Sequence, residues 1–112
     1  MCFLVWSDEL GRIRRFELSG HAGYAEAGQD IVCAGVSALG IAAVNGLEYF
    51  LSQAPQVQEG EGFLSCKLVG ISEQELEQAQ WILQTLKLGI EQIESAYGPA
   101  YILIDQRRWT PC

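Results

Sequence analysis

Hydrophobic periodicity divides this chain of 112 residues into five short strand-like runs and two long helical ones. Cys2 to Trp6 (CFLVW) is apolar on both faces, the pattern of a covered strand. Ser7 to Gly11 supplies turn residues, and Ile13 to Ser19 then alternates. Phe16 and Leu18 point one way, Arg15 and Glu17 the other. The two runs predict a hairpin that delivers the chain to Gly20 and His21 at a strand end.

The pattern breaks from Ala22 to Gln29. Gly23 and Gly28, with alanines at 22, 25 and 27, leave little to anchor this loop, and Tyr24 is its one large side chain. A segment so lightly held is expected to be mobile until a ligand orders it, as lids are.

Asp30 to Ser52 reads as one helix with Asp30 as its N-cap, because a carboxylate there accepts from backbone N–H groups of the first turn. Val32, Val36, Leu39, Ala43, Gly46 or Leu47, and Phe50 form one apolar stripe. Cys33, Ser37, Gly40, Val44, Leu47 and Leu51 form a second beside it. A helix this apolar is buried on more than one side. Its glycines at 35, 40 and 46 cost about 1 kcal/mol each against alanine. Close packing must offset that, and a second subunit is one candidate partner. Pro55 is read as the stop.

Gln56 to Gly60 and Phe63 to Val69 predict a second hairpin through Gly60-Glu61-Gly62, with Leu64, Cys66 and Leu68 on one face. Ser72 and Glu75 then form a capping box. The helix they open carries Leu76, Ala79, Leu83, Leu86, Ile90, Ile93 and Tyr97 at steps of three and four. Trp81 and Leu88 lie off this stripe and are assigned to packing at the side of the core, with an exposed partner patch as the alternative. Gly98-Pro99 ends the helix, and Ala100 to Ile104 is the last strand. The order β-β-α-β-β-α-β predicts a single α+β domain, residues 1–112, with a mostly antiparallel sheet and two long helices.

Charge narrows the possible partners. The net charge is −7, and Arg12, Arg14 and Arg15 are too small a cluster to reverse it, so direct nucleic-acid binding is not expected. An acidic surface suits a basic partner, or serves only solubility. The four cysteines show no C-x-x-C spacing and there is one histidine, so no metal or other cofactor is expected. No signal-like start is read, and no run is judged to approach the roughly 20 apolar residues of a membrane span. The expected location is the cytoplasm, with free thiols, no membrane association, and Cys2 and Cys66 in the core. Cys112 has no assigned role.

The chemistry concentrates between Gly20 and Ser37. With Asp30 as N-cap, Cys33 falls in the first helical turn, where unpaired N–H groups and the helix dipole favour an anion such as a thiolate. His21, twelve positions upstream, is a candidate base for that thiol. The same N–H groups can donate to a tetrahedral oxyanion. The charge of Asp30 beside Cys33 opposes a thiolate, so Asp30 must cap the helix, orient His21, or both. Ser37, one turn below Cys33, either fixes the thiol rotamer or fills space.

Gly20-His21-Ala22, Gly28, Asp30-Ile31-Val32-Cys33-Ala34 and Ser37 resemble the signature G-H-A…G-x-D-I-V-C-A-x-V-S of the ribosomal-processing cysteine proteases, the Prp family. Gly35 stands where that family often has alanine. The resemblance implies a cysteine endopeptidase that removes the N-terminal extension of bacterial large-subunit ribosomal protein twenty-seven. It implies Cys33 as nucleophile and His21 as general base, with Gly20, Asp30 and Ser37 in support. Ala22, Gly23, Tyr24 and Gly28 would belong to a substrate loop. It also implies a homodimer. Two alternatives remain on the residues alone: a ribosome-associated assembly module with a structural thiol, and a hydrolase of non-peptide esters or thioesters.

Overall fold

In the computed structural model, residues 1–23, 25–26 and 30–110 are described, and seven elements follow in the expected order. They are β1 (Cys2–Ser7), β2 (Ile13–Ser19), α1 (Ile31–Phe50), β3 (Gln56–Gly60), β4 (Phe63–Lys67), α2 (Glu73–Tyr97) and β5 (Leu103–Arg108). Tyr24, Gly28 and Cys112 lie outside the described residues.

The strands form one sheet in the order β3-β4-β2-β1-β5. Both hairpins are antiparallel, as is the β2–β4 pairing that joins them. β5 is the correction. It runs parallel to β1, and it starts at Leu103 rather than Ala100, so the sheet is mixed. The run Ala100 to Ile104 is apolar, but only its end is strand; Ile102 is instead buried in the core. The true strand, LIDQRR, is polar because it is an edge strand with one face in solvent.

The pairing register assigns each face. Phe3, Val5, Phe16, Leu18, Leu64 and Cys66 are buried on the side that carries both helices. On the other side Trp6 is flanked by Arg15, whose guanidinium carbon lies 4.6 Å from the ring centroid, and by Arg107 at 5.9 Å. The prediction that β1 is covered on both faces therefore holds for one, and Cys2 is half-buried rather than core. The arginine cluster is consumed structurally. Arg12 bridges Asp8 to Glu73 and Glu77 of α2, and Arg14 also reaches Asp8.

Packing within the chain accounts for the glycines of α1. A Cβ at Gly35 would stand 3.3 Å from Ile93 Cδ1, and one at Gly46 3.3 Å from Ile82 Cδ1, both on α2. Gly89 of α2 answers from the other side, where a Cβ would meet Leu39 Cδ1 at 2.8 Å. Gly40 faces the sheet instead, with Leu18 Cδ1 only 2.5 Å from the Cβ position. No second subunit is needed to explain these residues.

Three further expectations are revised. First, α1 is 20 residues long and, by length and composition alone, apolar enough to cross a bilayer, contrary to the reading that no run approaches this. Its buried residues Val32, Val36, Gly40, Ala43, Val44 and Leu47 face the sheet and α2, as in a core helix. It also ends at Phe50, with Leu51 as its C-cap, rather than at Ser52 before Pro55. Second, only half of the capping box forms. Ser72 accepts from the Glu75 N–H at 3.1 Å, but the Glu75 carboxylate turns to Ser52, binding its backbone N–H and hydroxyl. Third, Trp81 and Leu88 are exposed, Trp81 by 82%, so the side-core reading fails. Gly35, Gly46 and Gly89 bring the helices together on one line, and Trp81 and Leu88 lie off it.

Candidate active site

Two local structures converge on one spot. The first is the α1 N-terminus. Asp30, with extended backbone and a largely buried side chain, accepts from the Cys33 N–H at 2.9 Å through Oδ1. Its carbonyl takes the Ala34 N–H at 3.0 Å. Asp30 is thus the N-cap, and Cys33 sits at the third helical position with its side chain half-exposed. The cap also corrects one expectation, since the Cys33 N–H is committed to Asp30 and does not point at a substrate oxygen.

The second is the end of β2. Gly20 has φ of +80°, which turns the chain sharply into His21, and its N–H donates to the Gly62 carbonyl at 2.9 Å. The Met1 backbone nitrogen donates to the His21 carbonyl at 2.8 Å and to the Tyr101 carbonyl at 3.1 Å. Ala22 is buried in the core, so the lightly held loop is anchored at its first residue. Gly23, next along, is exposed.

These anchors place His21 Nδ1 3.9 Å from Cys33 Sγ, within the longer reach of a hydrogen bond to sulfur. The opposite edge of the ring faces the β3–β4 turn. A Cβ at Gly62 would lie 3.6 Å from Nε2, and Gly62, at φ of +68°, is a turn position that favours glycine in any case. The imidazole is held between thiol and hairpin turn.

The pair opens on a cleft of about 220 Å³. One wall is α1, through Cys33, Ser37 and Ile41; the other is the second hairpin, through Glu59, Gly60, Gly62, Phe63 and Leu64. Met1 and Leu18 complete the apolar lining. Of the expected residues, Gly20, His21, Cys33 and Ser37 line the cleft, and Asp30 braces it from the helix cap. Tyr24 and Gly28 lie outside the described residues. Sequence reading missed the hairpin wall. Gly60 and Gly62 were legible as a turn, but no local pattern tells that this turn stands against His21.

Cys66 differs in setting. Burial pushes the Cys66 thiol up to about 12, with the charge of Glu48 acting in the same direction. It is 1% exposed and shielded from reagents. What the cleft offers chemically is an accessible thiol at a helix N-terminus with an imidazole in reach. That set suits proton removal and nucleophilic attack.

Comparison with known proteins gives the same assignment. The family model "Cysteine protease Prp" matches residues 2–102. Over 88 residues the chain is 36% identical to the ribosomal processing cysteine protease Prp of Bacillus subtilis (strain 168), covering 76% of this chain and 79% of that protein. The crystal structure of Prp from S. aureus with a covalently linked product peptide superimposes with a TM-score of 0.84 at 28% identity, covering 95% of this chain and 98% of that one. The same protease with a substrate peptide gives 0.78 at 26% identity, with the same coverage. The fold described above is thus shared over nearly the whole chain, and the chain belongs to the cysteine protease Prp family.

Proposed function

We propose that Cys33 is the nucleophile of this protease, that His21 is its general base, and that the substrate is the N-terminal extension of large-subunit ribosomal protein twenty-seven. The observation that carries the roles is the 3.9 Å approach of His21 Nδ1 to Cys33 Sγ at the mouth of a cleft. His21 Nδ1 takes the thiol proton, and Sγ attacks the scissile carbonyl carbon. The tetrahedral oxygen must be met by donors other than the Cys33 N–H, which Asp30 holds. The imidazolium then returns its proton to the leaving amine as the C–N bond breaks, leaving a thioester on Cys33. Water, deprotonated by His21, hydrolyses the thioester and regenerates the thiol.

Asp30 and Gly20 are supporting residues in this reading, the one fixing Cys33 and the other aiming His21; Ser37 supports from the cleft wall one turn below the thiol. The ribosomal substrate is supported by the named activity of the relatives and by the acidic charge of −7, which suits a basic protein. The cytoplasm is the matching location. A homodimer is supported by Tyr49, Phe50, Trp81 and Leu88, exposed on the helical layer. Incubating the protein with a peptide spanning the extension tests the substrate. A single cut releasing the extension is expected, and binding without a cut would favour an assembly module.

A further inference from the structure

We infer that Glu59 sets a substrate preference of this cleft, selecting a side chain with an aliphatic stem and a cationic tip. The inference rests on the cleft being the peptide site. Glu59 pairs with Leu64 across the hairpin, and both line the cleft beside Ile41. The carboxylate thus stands at the edge of an otherwise apolar wall. Among the described residues no hydrogen bond or ion pair is found for it, whereas Glu73, Glu75 and Glu77 are engaged elsewhere. Glu59 also lines a second space of about 250 Å³ that continues the cleft along α1, sharing Ile41 and Leu64 with it and adding Asn45 and Glu48. None of the seven lysines and arginines lines either space.

A lysine or arginine side chain fits this arrangement because its methylenes can lie on Ile41 and Leu64 while its charge reaches Glu59. A purely apolar side chain of the same length would leave the carboxylate without a partner, and an acidic one would be repelled. Ile41 is 51% exposed, so its surface is available to such a stem.

The test is a positional scan of the extension peptide in which each residue flanking the cut is replaced in turn by lysine or its neutral isostere norleucine. At one position the wild type is expected to favour lysine by about fivefold in kcat/KM, the size of an exposed ion pair. That ratio should collapse in Glu59→Gln and in high salt. Binding of the same peptides to Cys33→Ala and to Cys33→Ala/Glu59→Gln gives the ratio without chemistry. Absence of cleavage with a Glu59-dependent lysine preference in binding would sink the protease roles and keep this inference. A lysine preference unaltered by Glu59→Gln, or none at any position, would overturn it.

Discussion

His21 presents Nδ1 to Cys33 Sγ at 3.9 Å and its Nε2 edge to the turn glycine Gly62. The imidazole is therefore placed by three separate segments: the end of β2, the β3–β4 turn, and Met1, which holds the His21 carbonyl. Gly62 is the sensitive point. Gly62→Val should strain a backbone at φ of +68° and press on the ring, lowering kcat by about tenfold or more as the imidazole shifts. Steady-state kinetics with circular dichroism separates this from unfolding. Unchanged kcat in a folded variant would contradict the placement.

The helix cap yields a pair of substitutions. Asp30→Ala should destabilise the protein by about 1 kcal/mol, while Asp30→Asn, another good cap, should cost no more than a few tenths. Urea denaturation measures both. Equal losses would mean that Asp30 acts by charge rather than by holding the Cys33 N–H.

The glycine contacts separate the two packing surfaces. Gly40→Ala should lose about 1–3 kcal/mol, because its methyl would drive into two buried side chains at once, Leu18 at 2.5 Å and Leu64 at 3.1 Å. Gly89→Ala presses only on half-exposed Leu39, so the gain in helix propensity should offset much of the strain. If the Gly89 variant proved the weaker of the two, this account of the α1 interfaces would be wrong.

What was legible in the sequence follows from what is local. Asp30 announces its cap, the Phe16/Leu18 alternation announces a strand, and the stripe from Leu76 to Ile90 announces a helix, because each signal lies within a few residues of its effect. The parallel placement of β5 was not legible. It depends on a crossover spanning the whole of α2, and of the strand residues in register with buried Phe3 and Val5, Ile104 is apolar but Gln106 is not. The glycine partners on α2 and the hairpin wall at Gly62 are likewise long-range. The pair His21 and Cys33 was legible as two residues with matching chemistry; its geometry required the sheet.

Asp8 predicts a pH dependence. Burial opposes its ionisation, but the backbone N–H groups of Arg12 and Leu10 and the guanidinium groups of Arg14 and Arg12 outweigh this and hold it below its ordinary value of 3.8. The folded form therefore binds the proton more weakly than the unfolded chain. Its stabilising contribution is full above the unfolded value and is lost as pH falls through the folded one. The stability gap between wild type and Asp8→Asn should be constant near neutral pH and narrow as pH falls below about 5. A gap that stays constant would contradict it.

The thiols should differ in reactivity. Near neutral pH iodoacetamide should modify Cys33 well before Cys66, whose thiol is buried and pushed up to about 12. Peptide mapping after timed quenching reads both rates, and comparable rates would argue against a reactive Cys33.

The most direct measurement of the central claim is cleavage of the extension peptide by wild type, Cys33→Ala and His21→Ala, followed by mass spectrometry. The account predicts a specific cut by wild type, none by Cys33→Ala, and a rate reduced by about 10²–10⁴ in His21→Ala. A cut at the same bond that survives Cys33→Ala would contradict it.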